Sequence, residues 1–167
     1  MRNQGKGRWI YALRPIQRFN NNYCQIQERN PPMSADLITP ENVSTERLNG
    51  VFAAYMDTTF DEDGDLIVKG DCQVYVTIAS DKSSIRLMTI FRLREESSLD
   101  ARLAAVNKIN SDYMIVKAHC SANDKLIFTY YFMLAGGLTK KALIRGLKLF
   151  DSIPRVAIED CAKDIVC

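Results

Sequence analysis

The sequence predicts an α+β domain: an antiparallel sheet with helices packed on one face, in the order α-β-β-β-α-β-β-α. Three observations carry this. Apolar residues recur at spacings of three and four in stretches near 48–56, 99–110 and 143–150. Stretches near 74–78, 85–93 and 126–134 instead alternate, or run apolar for the length of a strand. Asp63-Gly64, Ser80-Asp81-Lys82-Ser83 and Ser121-Ala122-Asn123-Asp124 provide turns short enough to join antiparallel neighbours.

The elements follow in chain order. Thr39-Pro40-Glu41 opens the ordered part, and Ser44 or Thr45 caps a helix over 44–56 whose apolar face is Leu48, Phe52 and Tyr55 or Met56. The acidic run Asp61-Glu62-Asp63-Gly64-Asp65 is a turn, with Gly64 giving the positive φ that such a turn needs. A short strand at Leu66-Ile67-Val68 follows. A second strand sets Val74, Val76 and Ile78 against Gln73, Tyr75 and Thr77. The third is long, with Ile85, Leu87, Thr89, Phe91 and Leu93 on one face and Arg86, Met88, Ile90, Arg92 and Arg94 on the other. Three strands so joined form a meander. Ser97 or Ser98 caps a second helix over 99–111 with Leu99, Leu103, Val106 and Asn110 on one stripe and Ile109 beside it. The fourth strand runs from Met114 to Cys120 and the fifth from Leu126 to Leu134. The fifth is apolar or aromatic on both faces, which places it centrally or under a second cover. Gly136-Gly137 breaks it. Thr139 caps a third helix that buries Leu143, Leu147 and Phe150, and Pro154 ends or kinks that helix, with 155–162 as its continuation.

The 22 basic and 20 acidic residues nearly cancel, but they are unevenly placed. Residues 1–32 hold six basic side chains against Glu28, a net of +5, so the remaining 16 basic and 19 acidic residues sum to −3. The expected organisation is a basic, disordered leader over 1–36 and a single domain over 37–167. The leader's apolar stretch Trp9–Leu13 is too short for a secretory signal, and it lacks the clean amphipathic face of a transit peptide. Met33 is an alternative natural start. No apolar run reaches the roughly 18 residues of a membrane span. Five cysteines at irregular spacing include no C-x-x-C pair, which points to reduced thiols in a cytoplasm.

Catalytic and ligand motifs fail on spacing. A calcium loop begun at Asp61 would put Gly64 at position four and Cys72 at position twelve, where a glutamate is required. His119 is the sole histidine and adjoins Cys120 on a strand, so the two side chains point to opposite faces and form no dyad. Gly136-Gly137-Leu138-Thr139-Lys140-Lys141 lacks the spacing of a phosphate loop and reads as a strand-to-helix turn. Arg86, Arg92 and Arg94 share a face that Glu95, Glu96 and Asp100 neutralise, so a nucleic-acid groove is not expected there. No catalytic, metal or cofactor site is expected.

The acidic Asp-Gly turn Asp61–Leu66, the passage from Ile90-Phe91-Arg92-Leu93 into Leu99…Val106-Asn107-Lys108-Ile109-Asn110, and Gly136-Gly137-Leu138-Thr139 before the last helix resemble the YbjN family over about 37–160. The resemblance implies a type III secretion chaperone-like fold, a role labelled sensory transduction regulation, and no catalytic residues. The basic leader is not part of the family's pattern.

One feature of the residues themselves points to function. Tyr75, Met88, Ile90, Tyr131 and Met133 exceed what one layer of helices covers, and surplus apolar surface marks a partner interface. The expectation is a non-catalytic, chaperone-like or regulatory protein-binding domain, cytoplasmic and homodimeric. Two alternatives are a small metal-dependent or hydrolytic enzyme and nucleic-acid binding through the basic leader.

Overall fold

The computed structural model describes residues 37–167. The leader and Cys24 lie outside the described residues. A two-residue strand β1 (Leu37–Ile38) pairs with β8 (Leu138–Thr139), the two residues before the last helix. α1 (Thr45–Phe52) begins where the Ser44 hydroxyl accepts from the Arg47 N–H, satisfying one of the first-turn amides that lack helical partners. It buries Leu48, Val51 and Phe52, but it stops at Phe52 and not at 56. Tyr55 therefore leaves the expected apolar face and is exposed.

A strand absent from the sequence expectation follows, β2 (Asp57–Phe60). It pairs antiparallel with β3 (Leu66–Lys69) across the acidic turn, where Gly64 has φ 84°. Asp61 Oδ1 accepts from the Asp63 and Asp65 N–H groups at 3.1 and 2.8 Å, so the carboxylate is spent on holding the turn. β4 (Gln73–Ile78) and β5 (Ser84–Arg92) continue the meander. β6 (Lys117–Ser121) and β7 (Lys125–Met133) complete a six-stranded antiparallel sheet in the order β2-β3-β4-β5-β7-β6. β7 lies between β5 and β6, consistent with a strand apolar on both faces. The outer edge of β6 is closed at Ala118: the Asn110 side-chain amide donates to its carbonyl at 3.0 Å and accepts from its N–H at 2.8 Å. The sheet thus ends on a side-chain amide that stands in for the next strand.

The helices lie on one face. α1 rests on β2 and β3, α3 (Lys140–Cys161) on β5 and β7, and α2 (Leu99–Asp112) against β6. Inward residues alternate along every long strand: Val74 and Val76, Ile85 and Leu87, Leu126, Phe128 and Phe132. They meet Leu143, Leu147 and Phe150 of α3 and Ile109 of α2 in one cluster. Thr139 caps α3, its hydroxyl accepting from the Ala142 N–H at 3.1 Å. Gly146 lets that helix sit directly on the Phe132 ring, where any Cβ would collide with it. α3 continues through Pro154, which is buried, so the proline does not end the helix.

α2 departs from its predicted stripe. Ser98 caps it as expected, but the buried positions are Ala105 and Ile109, and Leu99 and Leu103 are 67% and 50% exposed. Arg102 occupies the inward position at this end. It donates to Ser97 Oγ and the Arg94 carbonyl, and it pairs with Asp124 in the β6–β7 turn, with its side chain 14% exposed. Hydrogen bonds to the loops therefore set the helix's rotation against the pull of its leucines. Met114, predicted to open the fourth strand, lies in a turn and is exposed; the strand starts at Lys117.

Candidate protein-binding face

The sheet face away from the helices is built from the alternate residues of the same strands. Register sets Tyr75 of β4 opposite Met88 of β5. It sets Ile90 opposite Ile127, Arg86 opposite Tyr131 and Ser84 opposite Met133 across β5 and β7. Directly opposed residues on one face of an antiparallel pair have Cβ atoms about 4.5–5.5 Å apart. The five residues singled out from sequence thus fall on one face, across three adjacent strands. Tyr131 and Met133 are 50% and 61% exposed, and Tyr75, Met88 and Ile90 are half-buried.

Three residues of this face were missed. Ile127 joins Ile90 at the centre, His119 lies opposite Ile127, and Ile67 opposite Tyr75. The signal for Ile127 was present, since period two puts it opposite in sense to Leu126 and Phe128. Placing His119 beside it needed the β6–β7 pairing. His119 Nδ1 is buried and, among the described residues, has no hydrogen-bond partner.

Of the arginines expected on this face, two belong to it. Arg86 Nε donates to Thr77 Oγ1 at 3.1 Å, and Arg92 pairs with Glu95 at 3.1 Å. Arg94 lies beyond the strand end, where its Nε donates to the Val166 carbonyl and its N–H to the Ile165 carbonyl. The C-terminal segment continues the antiparallel pairing there, with Leu93 bridged to Val166, and this draws Arg94 away from the face. At the same end of the sheet a cleft of about 560 Å³ is lined by Tyr75, Ile90, Arg92 and Lys125 together with Glu95 and Asp124.

Cys72, Cys120, Cys161 and Cys167 are free thiols. Burial pushes the Cys72 thiol up, reinforced by the Asp151 charge; burial likewise raises Cys120 and Cys161. A raised thiol is a poor nucleophile at neutral pH. Cys120 packs against the core while His119 faces outward. Among the described residues, no three of His, Cys, Asp and Glu cluster so as to hold a metal ion. At the Gly136–Thr139 turn both glycines have φ 81° and the Thr139 hydroxyl is committed to capping α3. No described helix is long and apolar enough to cross a membrane.

A family model described as "YbjN: Putative bacterial sensory transduction regulator" matches residues 45–161. The crystal structure of YbjN from E. coli, described as a putative transcription regulator, is similar with a TM-score of 0.62 and 17% identity. That match covers 75% of this chain and 96% of that one. The Yersinia pestis type III secretion chaperone SycH, solved with a fragment of YscM2, gives a TM-score of 0.45 at 10% identity over 69% of this chain and 94% of that one. The chaperone–effector complex HopA1–SchA gives 0.47 at 10% over 73% and 99%. No curated protein sequence matches.

Proposed function

The chain belongs to the YbjN family, and from that premise we propose that it is a non-catalytic regulatory domain that binds a protein partner on the open face of its sheet. The observation that carries this reading is the clustering of Tyr75, Met88, Ile90, Tyr131 and Met133, with Ile127, on a face that no described helix covers. Contiguous apolar surface of this kind marks interaction sites. Methionine and tyrosine suit it, because flexible thioethers adapt to a partner and tyrosines give large contact area at low entropic cost. β2 is the last strand of the sheet among the described residues, and its outer edge offers main-chain pairing as a second contact. The proposal includes a cytoplasmic, homodimeric protein.

The test uses the full chain as bait beside its Met88→Glu and Tyr131→Ser variants, each checked for an unchanged melting temperature. Partners cross-linked to the wild type and lost from both variants are the expected result. Retention of every partner by both variants removes the open face from the reading. Light scattering across a concentration series settles the oligomeric state, and a monomer throughout would exclude the homodimer.

A further inference from the structure

The charges of the described residues are segregated by face. The outward positions of the strands carry Lys69, Arg86, Arg92, Lys117 and Lys125 against Asp57, five to one, a net of +4. Residues 37–167 together hold 16 basic and 18 acidic residues, a net of −2, so the described residues outside these strand positions sum to −6. The cations ring an aliphatic centre of Met88, Ile90 and Ile127. Among the described residues Lys69, Lys117 and Lys125 form no ion pair, and Arg92 stands directly opposite Lys125. Like charges placed directly opposite on paired strands are destabilising, and a carboxylate between them relieves that repulsion. The cleft at this end brings Arg92 and Lys125 together with Tyr75 and Ile90. Its acids are engaged, Asp124 with Arg102 and Glu95 with Arg92. The second pair is 74% and 79% exposed and exchanges readily for another carboxylate.

We infer that the occupant of this face is an acidic amphipathic segment of another protein, with apolar side chains on Met88, Ile90 and Ile127 and carboxylates on the surrounding cations. This rests on the protein-binding reading above and names the partner's chemistry. A second copy stacked on the face would set +4 against +4. A single-stranded nucleic acid takes stacked rings across its platform, whereas this centre is aliphatic and the Tyr75 hydroxyl accepts from Gln73 Nε2 at 3.2 Å.

The experiment measures fluorescence anisotropy of three labelled probes with the full chain at low and physiological salt. The probes are a peptide of alternating leucine and glutamate, one of alternating leucine and lysine, and a random single-stranded oligonucleotide. The acidic peptide binds, the basic one does not, and binding weakens with salt. Joint Lys69→Gln, Lys117→Gln and Lys125→Gln substitution lowers the affinity about tenfold or more and flattens the salt dependence; a thermal melt confirms that this variant folds. Absence of acidic-peptide binding, equal binding of the basic peptide, indifference to the triple substitution, or tighter binding of the oligonucleotide would each overturn the inference. If it falls while Met88→Glu still strips partners from the bait, the protein-binding face stands and its charge preference does not. If neither Met88→Glu nor Tyr131→Ser strips a partner, both fall.

Discussion

The two faces of the sheet are made from alternate residues of the same strands, yet they serve opposite ends. On β5 the inward Ile85 and Leu87 are fully buried under α3, while the outward Arg86, Met88 and Ile90 remain partly open. The inner face is filled by branched aliphatic and aromatic side chains that lock into one packing. The outer face carries methionine, tyrosine and cations. Stability and recognition are thus separated residue by residue along a single strand, and a one-residue register slip would exchange the two.

Substitution of neighbours on β5 is the most direct way to break this contrast. Leu87→Ala should cost about 2–5 kcal/mol in urea unfolding, because it removes contacts from a site that cannot collapse. Met88→Ala, one residue away, should cost under about 1 kcal/mol while weakening partner capture. Similar losses at the two positions would mean that the outer face is core.

Asp151 is the buried carboxylate of the inner side. It accepts from the Asp71 and Cys72 N–H groups at 2.9 and 2.8 Å and so ties α3 to the β3–β4 turn. Asp151→Ala leaves two donors without their acceptor, and a loss of about 2–3 kcal/mol is expected. Partner capture by the outer face should survive in the folded fraction, which sharpens the separation of the two roles.

The smallest effect concerns the helix layer. Burial, then the hydrogen bond the Tyr113 hydroxyl donates to Asp160 at 2.7 Å, push the Tyr113 phenol up to about 12. The folded state therefore holds this proton between pH 10 and about 12, where the unfolded chain has begun to release it. The contribution of Tyr113 is fully present below pH 10 and is lost as pH rises through that window. Tyr113→Phe should flatten this part of the pH–stability curve, and the variant's ultraviolet titration should lack one late-ionising tyrosinate that the wild type shows. Equal slopes in both proteins would refute the assignment.

Much of this architecture was legible locally. The caps at Ser44, Ser98 and Thr139, the turns at Gly64 and 121–124, and the long strands depend on residues within a few positions of one another, where periodicity and hydrogen-bonding capacity act directly. The same alternation placed Tyr75, Met88, Ile90, Tyr131 and Met133 on one side of their strands. β2 was not legible: its Thr58 and Thr59 are half-buried between exposed ends, and four residues at a sheet edge show no clean alternation.

What the amino-acid order determined alone is therefore the elements and the sense in which each side chain leaves its strand. Tertiary structure decided the neighbours. It set β7 between β5 and β6, turned α2 through the bonds of Arg102, drew Arg94 to the C-terminal segment, and joined Asp151 to a turn about 80 residues away. It also gathered Lys69, Lys117 and Lys125 onto one face. Strand order and helix rotation follow from which distant surfaces and hydrogen-bonding groups satisfy one another, a choice made by long-range packing and not by any local period.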